Sequence, residues 1–384
     1  MNKRASEPTF VHLRTHSAYS LLEGALPIAK LVDLALDDDM VALAITDTGN
    51  LFGALEFSEK LADAGIQPII GCTLRVNFGD EVLGELGDIQ PSQTPTGSIA
   101  TLPITLLAKD ETGYANLMKL TSAAFLDTGD DEAPHIGLDH LNAASEGLIA
   151  LTGGPNGPID KALLDGQEDC ARERLELLTA AFGDRLYVEL QRHGADEERR
   201  VEPPLVQLAY DLALPLVATN EPYFAEPDDY DAHDALICIA ESAYVSQDER
   251  RRLTHEHYFK SQDQMAGLFS DLPEAIENSV EIARRCAYRP ATRAPILPQF
   301  VAAGDGTDPD DILAAEAGEL AEQARDGLKH RMTASGPAEG QTEQTYWDRL
   351  EFELDVITRM NYPGYFLIVA DFIKWAKNHD IAVG

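Results

Sequence analysis

The feature that most constrains the fold is a recurrence of short apolar runs that end on polar residues and alternate with amphipathic stretches. Val41-Ala42-Leu43-Ala44-Ile45-Thr46 is one such run and stops at Asp47. Segments 65–71, 102–108, 147–154, 186–190 and 214–219 repeat the pattern. Continuous apolar runs of this length read as strands buried on both faces. Between them, segments 27–36, 54–64, 113–125, 170–182 and 203–212 space their apolar residues as helices do, and Pro27 suits a first helical turn. A β-α-β-α-β rhythm predicts a mostly parallel sheet with right-handed crossovers. So many strands in one region predict an α/β fold of the distorted (β/α) barrel type, with its chemistry at the C-terminal strand ends.

A chain of 384 residues exceeds one typical domain. Segment 80–101 is rich in Gly, Pro, Ser, Thr and acids and reads as an exposed insertion. From Asp228 onward, helical patterns and loops replace the alternation; Asp271 is placed to cap a helix starting near Pro273. Segment 294–343 reads as a linker or surface excursion around a helix at 312–332. Amphipathic helices follow at 346–360 and 366–376, with 362–366 as an aromatic-packed turn. Residues 381–384 begin a strand, which implies that the chain belongs to a longer one.

Composition excludes several classes. At 44% hydrophobic and 25% charged the chain is globular in type, and no run approaches the about 18 apolar residues of a membrane span. Residues 1–8 carry no apolar signal-peptide core. Cys72, Cys170, Cys238 and Cys286 are scattered without a CxxC pair, which points to a reducing cytoplasm and away from disulfides or a zinc ribbon. A net charge of −36 repels a phosphate backbone, so most of this surface is not a DNA groove.

The candidate chemistry starts at His12-Leu13-Arg14-Thr15-His16-Ser17. On a strand, His12, Arg14 and His16 share one face, and paired imidazoles are the beginning of a metal site. Arg14 breaks the pattern, because a guanidinium only donates and carries a fixed positive charge. A barrel gathers Asp47, Thr48, Thr73, His193, Glu221 and Tyr223 at the same end. Threonine is a poor ligand for transition metals, so Thr48 and Thr73 weaken the metal reading further. Elsewhere, Arg250-Arg251-Arg252 reads as a solvated surface turn. His255 and His257 lack an acidic partner pattern. Lys374, Trp375 and Lys377 lie on an amphipathic helix, with Trp375 and Phe372 read as core.

These residues resemble a known family. FVHLRTHSAYSLLEGA (10–25), ALAITDTGNLFGALEF (42–57), AGIQPIIGCTLRV (64–76), LLAKDETGYANLMKLTSAAF (106–125), YVELQRHG (187–194), LVATNEPYF (216–224) and EFELDVITRMNYPGYFLIVADFIKWAKNHDIAVG (351–384) occur in the order seen in α subunits of bacterial DNA polymerase III. These C-family replicative polymerases open with a PHP (polymerase and histidinol phosphatase) domain. The resemblance implies a PHP domain over 1–285 and the beginning of a polymerase palm over 286–384. It implies template-directed DNA synthesis by the full-length protein with Mg2+, on aspartates beyond this chain. Alone, the chain is predicted to be inactive.

The resemblance also assigns the degenerate positions. Intact PHP sites carry histidine where this chain has Arg14, Thr48 and Tyr223, glutamate at Thr73 and aspartate at Glu221; a cysteine is common at Gly154. His12, His16, Asp47 and His193 match. A metal-free, degenerate site follows, with Arg14 neutralising Asp47 and Glu221. Its implied role is scaffolding, with docking of a separate proofreading exonuclease subunit among other replisome subunits, and no membrane. The alternatives are a surviving metal-dependent phosphoesterase or 3′–5′ exonuclease, and an error-prone paralogue of the same family.

Overall fold

The computed structural model describes residues 9–79, 101–129, 132–293, 298–301 and 308–383. Two compact units divide the chain, Met1–Thr292 and Arg293–Gly384. The N-terminal octapeptide and most of the 80–101 segment lie outside the described residues.

In the first unit, the predicted apolar runs form strands β1 (Ala42–Ile45), β2 (Gln67–Asn77), β3 (Thr101–Ala108), β5 (Leu148–Leu151), β6 (Leu186–Leu190) and β7 (Leu216–Ala218), with a short β4 (Ile136–Gly137) beside β2. The sheet order is β1-β2-β3-β5-β6-β7. β1–β2, β2–β4, β5–β6 and β6–β7 are parallel, whereas β3 runs antiparallel to both neighbours. The rhythm of a simple parallel barrel is therefore broken at β3. Gly71 permits the close β2–β3 approach, since a Cβ there would lie 2.6 Å from the Leu106 carbonyl oxygen.

Helices α1 (Ile28–Asp37), α2 (Ala54–Asp63), α3 (Glu111–Leu126), α4 (Leu138–Ala143), α5 (Pro158–Leu164), α6 (Glu168–Phe182), α7 (Asp196–Asp211), α8 (Tyr230–Ala240), α9 (Gln262–Leu268) and α10 (Pro273–Arg285) complete the unit. Strand alternation sorts its core. Ala44, Ile69, Leu107, Ile149, Leu151 and Val217 form one buried cluster with Val11, Leu13 and the α10 residues Val280, Ile282 and Ala283. The opposite strand faces, such as Leu106, Ala150 and Val188, pack in a larger cluster with Leu117, Leu175 and Leu205 of α3, α6 and α7. α10 begins at Pro273 as expected, but Leu272 is its N-cap; Asp271 instead pairs with Arg192.

The opening segment 9–16 is extended without being a regular strand. Ala44 N donates to His12 O at 2.8 Å, Thr46 N to Thr15 O at 2.9 Å, and His16 N to Pro222 O at 3.2 Å. It thus spans from β1 to the exit of β7, and the curled sheet is completed by chain that forms few ladder bonds.

The second unit contains α11 (Pro309–Ser335), α12 (Glu343–Arg359) and α13 (Pro363–Asn378) around Leu320, Leu354 and Leu367. Pro363 opens α13, so the aromatic 362–366 segment is a helix start rather than a turn, as suits proline at N1. Phe372 and Trp375 are 66% and 57% exposed, not core. The small core uses only one stripe of α13.

Candidate functional site: a buried ion cluster at the strand ends

Arg14 lies at the centre of the site and is 2% exposed. Its Nη1 is 3.2 Å from Glu189 Oε2 and its Nη2 is 2.6 Å from Glu221 Oε1. Glu189 is supplied by β6, where it follows the inward-facing Tyr187 by the two-residue period. It also accepts from Gly153 N at 2.9 Å, Gln191 Nε2 at 3.1 Å and Thr219 Oγ1 at 2.5 Å. Glu221 follows β7 in a left-handed backbone conformation, φ 48°. Such a conformation is costly for a residue with a Cβ and marks a position held by its surroundings. Here the hold is visible: Glu221 Oε1 accepts from Arg14, from His16 Nε2 at 3.0 Å and from Tyr223 Oη at 2.9 Å.

Burial alone would push the Glu221 carboxyl up. Arg14, with His16 and His257, more than reverses this and holds it well below the usual range. Burial likewise opposes charge on Arg14, and Glu189 and Glu221 overcome it. Burial and the Glu221 charge push the Tyr223 phenol far up, so it stays neutral and donates. Its ring stacks on His16 at 4.4 Å.

The remaining donors are turned elsewhere. Asp47 accepts from Ser17 N (2.7 Å), Ser17 Oγ (2.7 Å) and Ser20 Oγ (2.6 Å). Thr48 Oγ1 donates to Glu23 at 2.7 Å, and Thr73 Oγ1 to Thr46 O at 3.1 Å. His193 directs Nδ1 to Glu198 Oε1 at 2.8 Å and Nε2 to the Asn220 carbonyl, and stacks on His257 at 3.7 Å. His12 donates Nε2–H to Lys260 O at 2.8 Å and packs on Phe259. Burial, with the Lys260 charge, lowers the His12 pKa to about 4.

These residues do not fit a metal ion. Among the described residues, no group of three or more His, Cys, Asp or Glu is arranged to hold one. A guanidinium lies between the two carboxylates that face the site, and a divalent ion there would meet a fixed positive charge.

Comparison with known proteins bears on the same segments. Residues 12–193 match the PHP domain family, and residues 318–384 match the family described as bacterial DNA polymerase III alpha NTPase domain. DNA polymerase III subunit alpha of Caulobacter vibrioides is 49% identical over 379 residues, covering 98% of this chain and 31% of that protein. The subunit of Rickettsia felis is 40% identical over 378 residues, covering 98% and 30%, and that of Pasteurella multocida 36% over 383 residues, covering 99% and 31%. Over nearly its whole length the chain is similar to DNA polymerase III α subunits, and residues 12–193 match the PHP domain. It spans about 31% of the length of the Caulobacter relative. An amidohydrolase from Chromobacterium violaceum aligns with a TM-score of 0.35 at 16% identity, over 56% of this chain and 87% of its own.

Within the first unit, the expected site residues do not all converge. Arg14, His16, Glu221 and Tyr223 form one hydrogen-bonded cluster. Asp47 is not a partner of Arg14, contrary to expectation; its oxygens are satisfied by the serines of the 17–20 turn, and Glu189 takes its place. His12 does not share a face with Arg14, because the irregular segment 9–16 breaks strand alternation. Thr48 and Thr73 are joined by a backbone bridge but bond away from the cluster. Arg250 is not solvated: it forms an ion pair with Asp234 at 2.5 Å, and Arg251 reaches Glu23 at 3.4 Å.

Glu189 was not anticipated, and His257 was considered only as a metal ligand and set aside, whereas it stacks on His193. Glu189 had a signal, a charge at the inward period of an apolar strand. The pairing of His257 with His193 had none, since the two lie on segments well removed in sequence.

Proposed function

We propose that this chain is part of a replicative DNA polymerase III α subunit, and that its PHP site is a metal-free structural centre. The observation that carries the reading is the guanidinium of Arg14 bonded to Glu189 and Glu221 where the family's motif calls for a metal-binding histidine. In this reading the full-length protein carries out template-directed nucleotidyl transfer with Mg2+, held by acidic residues in the portion that this chain does not span. The 384-residue chain is then inactive by itself. The first unit acts as a scaffold and as a docking module for a separate proofreading exonuclease subunit within the cytoplasmic replisome. No helix among the described residues is long and apolar enough to cross a membrane.

Metal analysis of the purified chain, with phosphoesterase and 3′–5′ exonuclease assays and co-purification with its cognate exonuclease, tests this reading. The expected result is sub-stoichiometric metal, no hydrolysis and a stable complex. Stoichiometric zinc or manganese accompanied by phosphoesterase turnover would overturn it.

A further inference from the structure

A second buried acidic group lies apart from the Arg14 cluster. Pro155, Asp160, Gln191, Glu198 and Glu202 line a cavity of about 10 Å³, roughly the room one water-sized particle requires. Asp160 sits in the first turn of α5 and is 3% exposed, and its Oδ1 has no hydrogen-bond partner. A buried carboxylate oxygen without a partner is costly and calls for an occupant.

The charges around it are unequal. Among the described residues, no Lys, Arg or His lines the cavity. Glu202 is paired with Arg192 at 2.7 Å, and Glu198 with His193 at 2.8 Å. Nearby Glu189 is paired with Arg14. Among the described residues of this group, Asp160 is the carboxylate with no Lys, Arg or His side chain bonded to it. Arg14 and Arg192 are each shared between two carboxylates, so the group is short of positive charge, and the space beside Asp160 is the size of one small ion. Burial, followed by the neighbouring Glu189 charge, pushes the Asp160 carboxyl well above the usual range. An ionised Asp160 therefore requires a counter-charge.

We propose that this cavity is a monovalent cation site, holding Na+ or K+ on Asp160 Oδ1 with further oxygens from Gln191 and Glu198. Asp160 Oδ1 is the one unpartnered carboxylate oxygen among the cavity's described residues, which suits a monovalent ion; a divalent ion would want several more free anionic oxygens. The site is independent of the proposed function, since neither the scaffold role nor polymerisation depends on it.

Thermal unfolding of the whole chain in KCl, NaCl and N-methyl-D-glucamine chloride at matched ionic strength tests the inference. The expected result is a Tm about 2 °C or more higher in K+ or Na+ than in the organic cation. Asp160→Asn should lose this difference and melt in every salt near the wild-type value in N-methyl-D-glucamine. Equal wild-type Tm values in all three salts, or a cation dependence that survives in Asp160→Asn, would overturn the site and leave a protonated Asp160 instead. Should the variant not fold, wild-type crystals soaked in thallium(I) decide: an anomalous peak beside Asp160 Oδ1 supports the site, and its absence refutes it.

Discussion

Replacing Arg14 with alanine tests the central ion cluster most directly. The substitution removes the guanidinium and leaves Glu189, fully buried, and Glu221, 6% exposed, without their shared counter-charge. Breaking a buried ion pair from one side costs about 3–5 kcal/mol. Both carboxylates keep other donors, Gly153 N, Gln191 and Thr219 on Glu189, and His16 and Tyr223 on Glu221. The lower end, about 3 kcal/mol, is therefore expected. For a unit that ends at Thr292 that corresponds to a Tm loss of about 5 °C. The deficit should depend on pH, with a definite sign. In the wild type the Glu221 pKa is depressed, so its contribution is present above the ordinary carboxylate range and is lost as pH falls through the folded value. Without Arg14, burial raises that pKa, and protonation relieves the unpaired charge as pH falls. The wild-type advantage should thus be largest near neutral pH and shrink on acidification towards the ordinary carboxylate pKa. Urea unfolding followed by circular dichroism at several pH values measures both. A neutral-pH stability loss under about 1 kcal/mol, or a deficit that does not change with pH, would refute the reasoning. Restoring stability by combining Arg14→Met with Glu189→Gln and Glu221→Gln would support it, because apolar and neutral replacements remove the uncompensated charges.

Two further outcomes are expected. His12 is held neutral down to about pH 4, so the unfolded chain binds a proton before the folded one, and stability should fall as pH drops from 6.5 to about 4. His12→Phe, which keeps the packing against Phe10 and Phe259, should flatten the unfolding free energy across that window by up to about 3 kcal/mol; an unchanged slope counts against burial of neutral His12. In the second unit, a Cβ at position 364 would lie 2.5 Å from Glu316 Oε2, whose partner Oε1 accepts from Phe300 N at 2.7 Å. Gly364→Ala should cost about 1–3 kcal/mol and speed amide exchange selectively in α13, whereas unchanged exchange there would show that Glu316 yields freely.

The fold was legible where one physical rule governed a whole segment. The apolar run at 41–46 became β1, and the stretch at 27–36 became α1, because burial and periodicity act locally along the chain. Direction was not legible: nothing in the composition of 101–108 distinguishes an antiparallel β3 from a parallel one, since its neighbours decide. The opening hexapeptide shows the same limit. Its residues announced a strand with alternating faces, but its few ladder bonds leave His12 and Arg14 free to turn to different partners. Asp271 and Arg250 erred similarly, being assigned by local rules to a helix cap and to solvent when other partners held them, whereas Arg251 and Arg252 are exposed as expected.

The sequence by itself determined the α/β class, the family and the set of residues that departs from a metal-binding pattern, because these follow from residue identity and order. Only the tertiary structure decided how those departures are resolved. It brought Glu189 of β6 and Glu221 from the segment after β7 onto one guanidinium, turned Asp47 towards its own serines, and left Asp160 buried without a bonded cation. The reason is physical: the energy of a charge in a protein interior depends on burial and on partners within a few ångströms. In a curled sheet those partners come from chain segments more than a hundred residues apart.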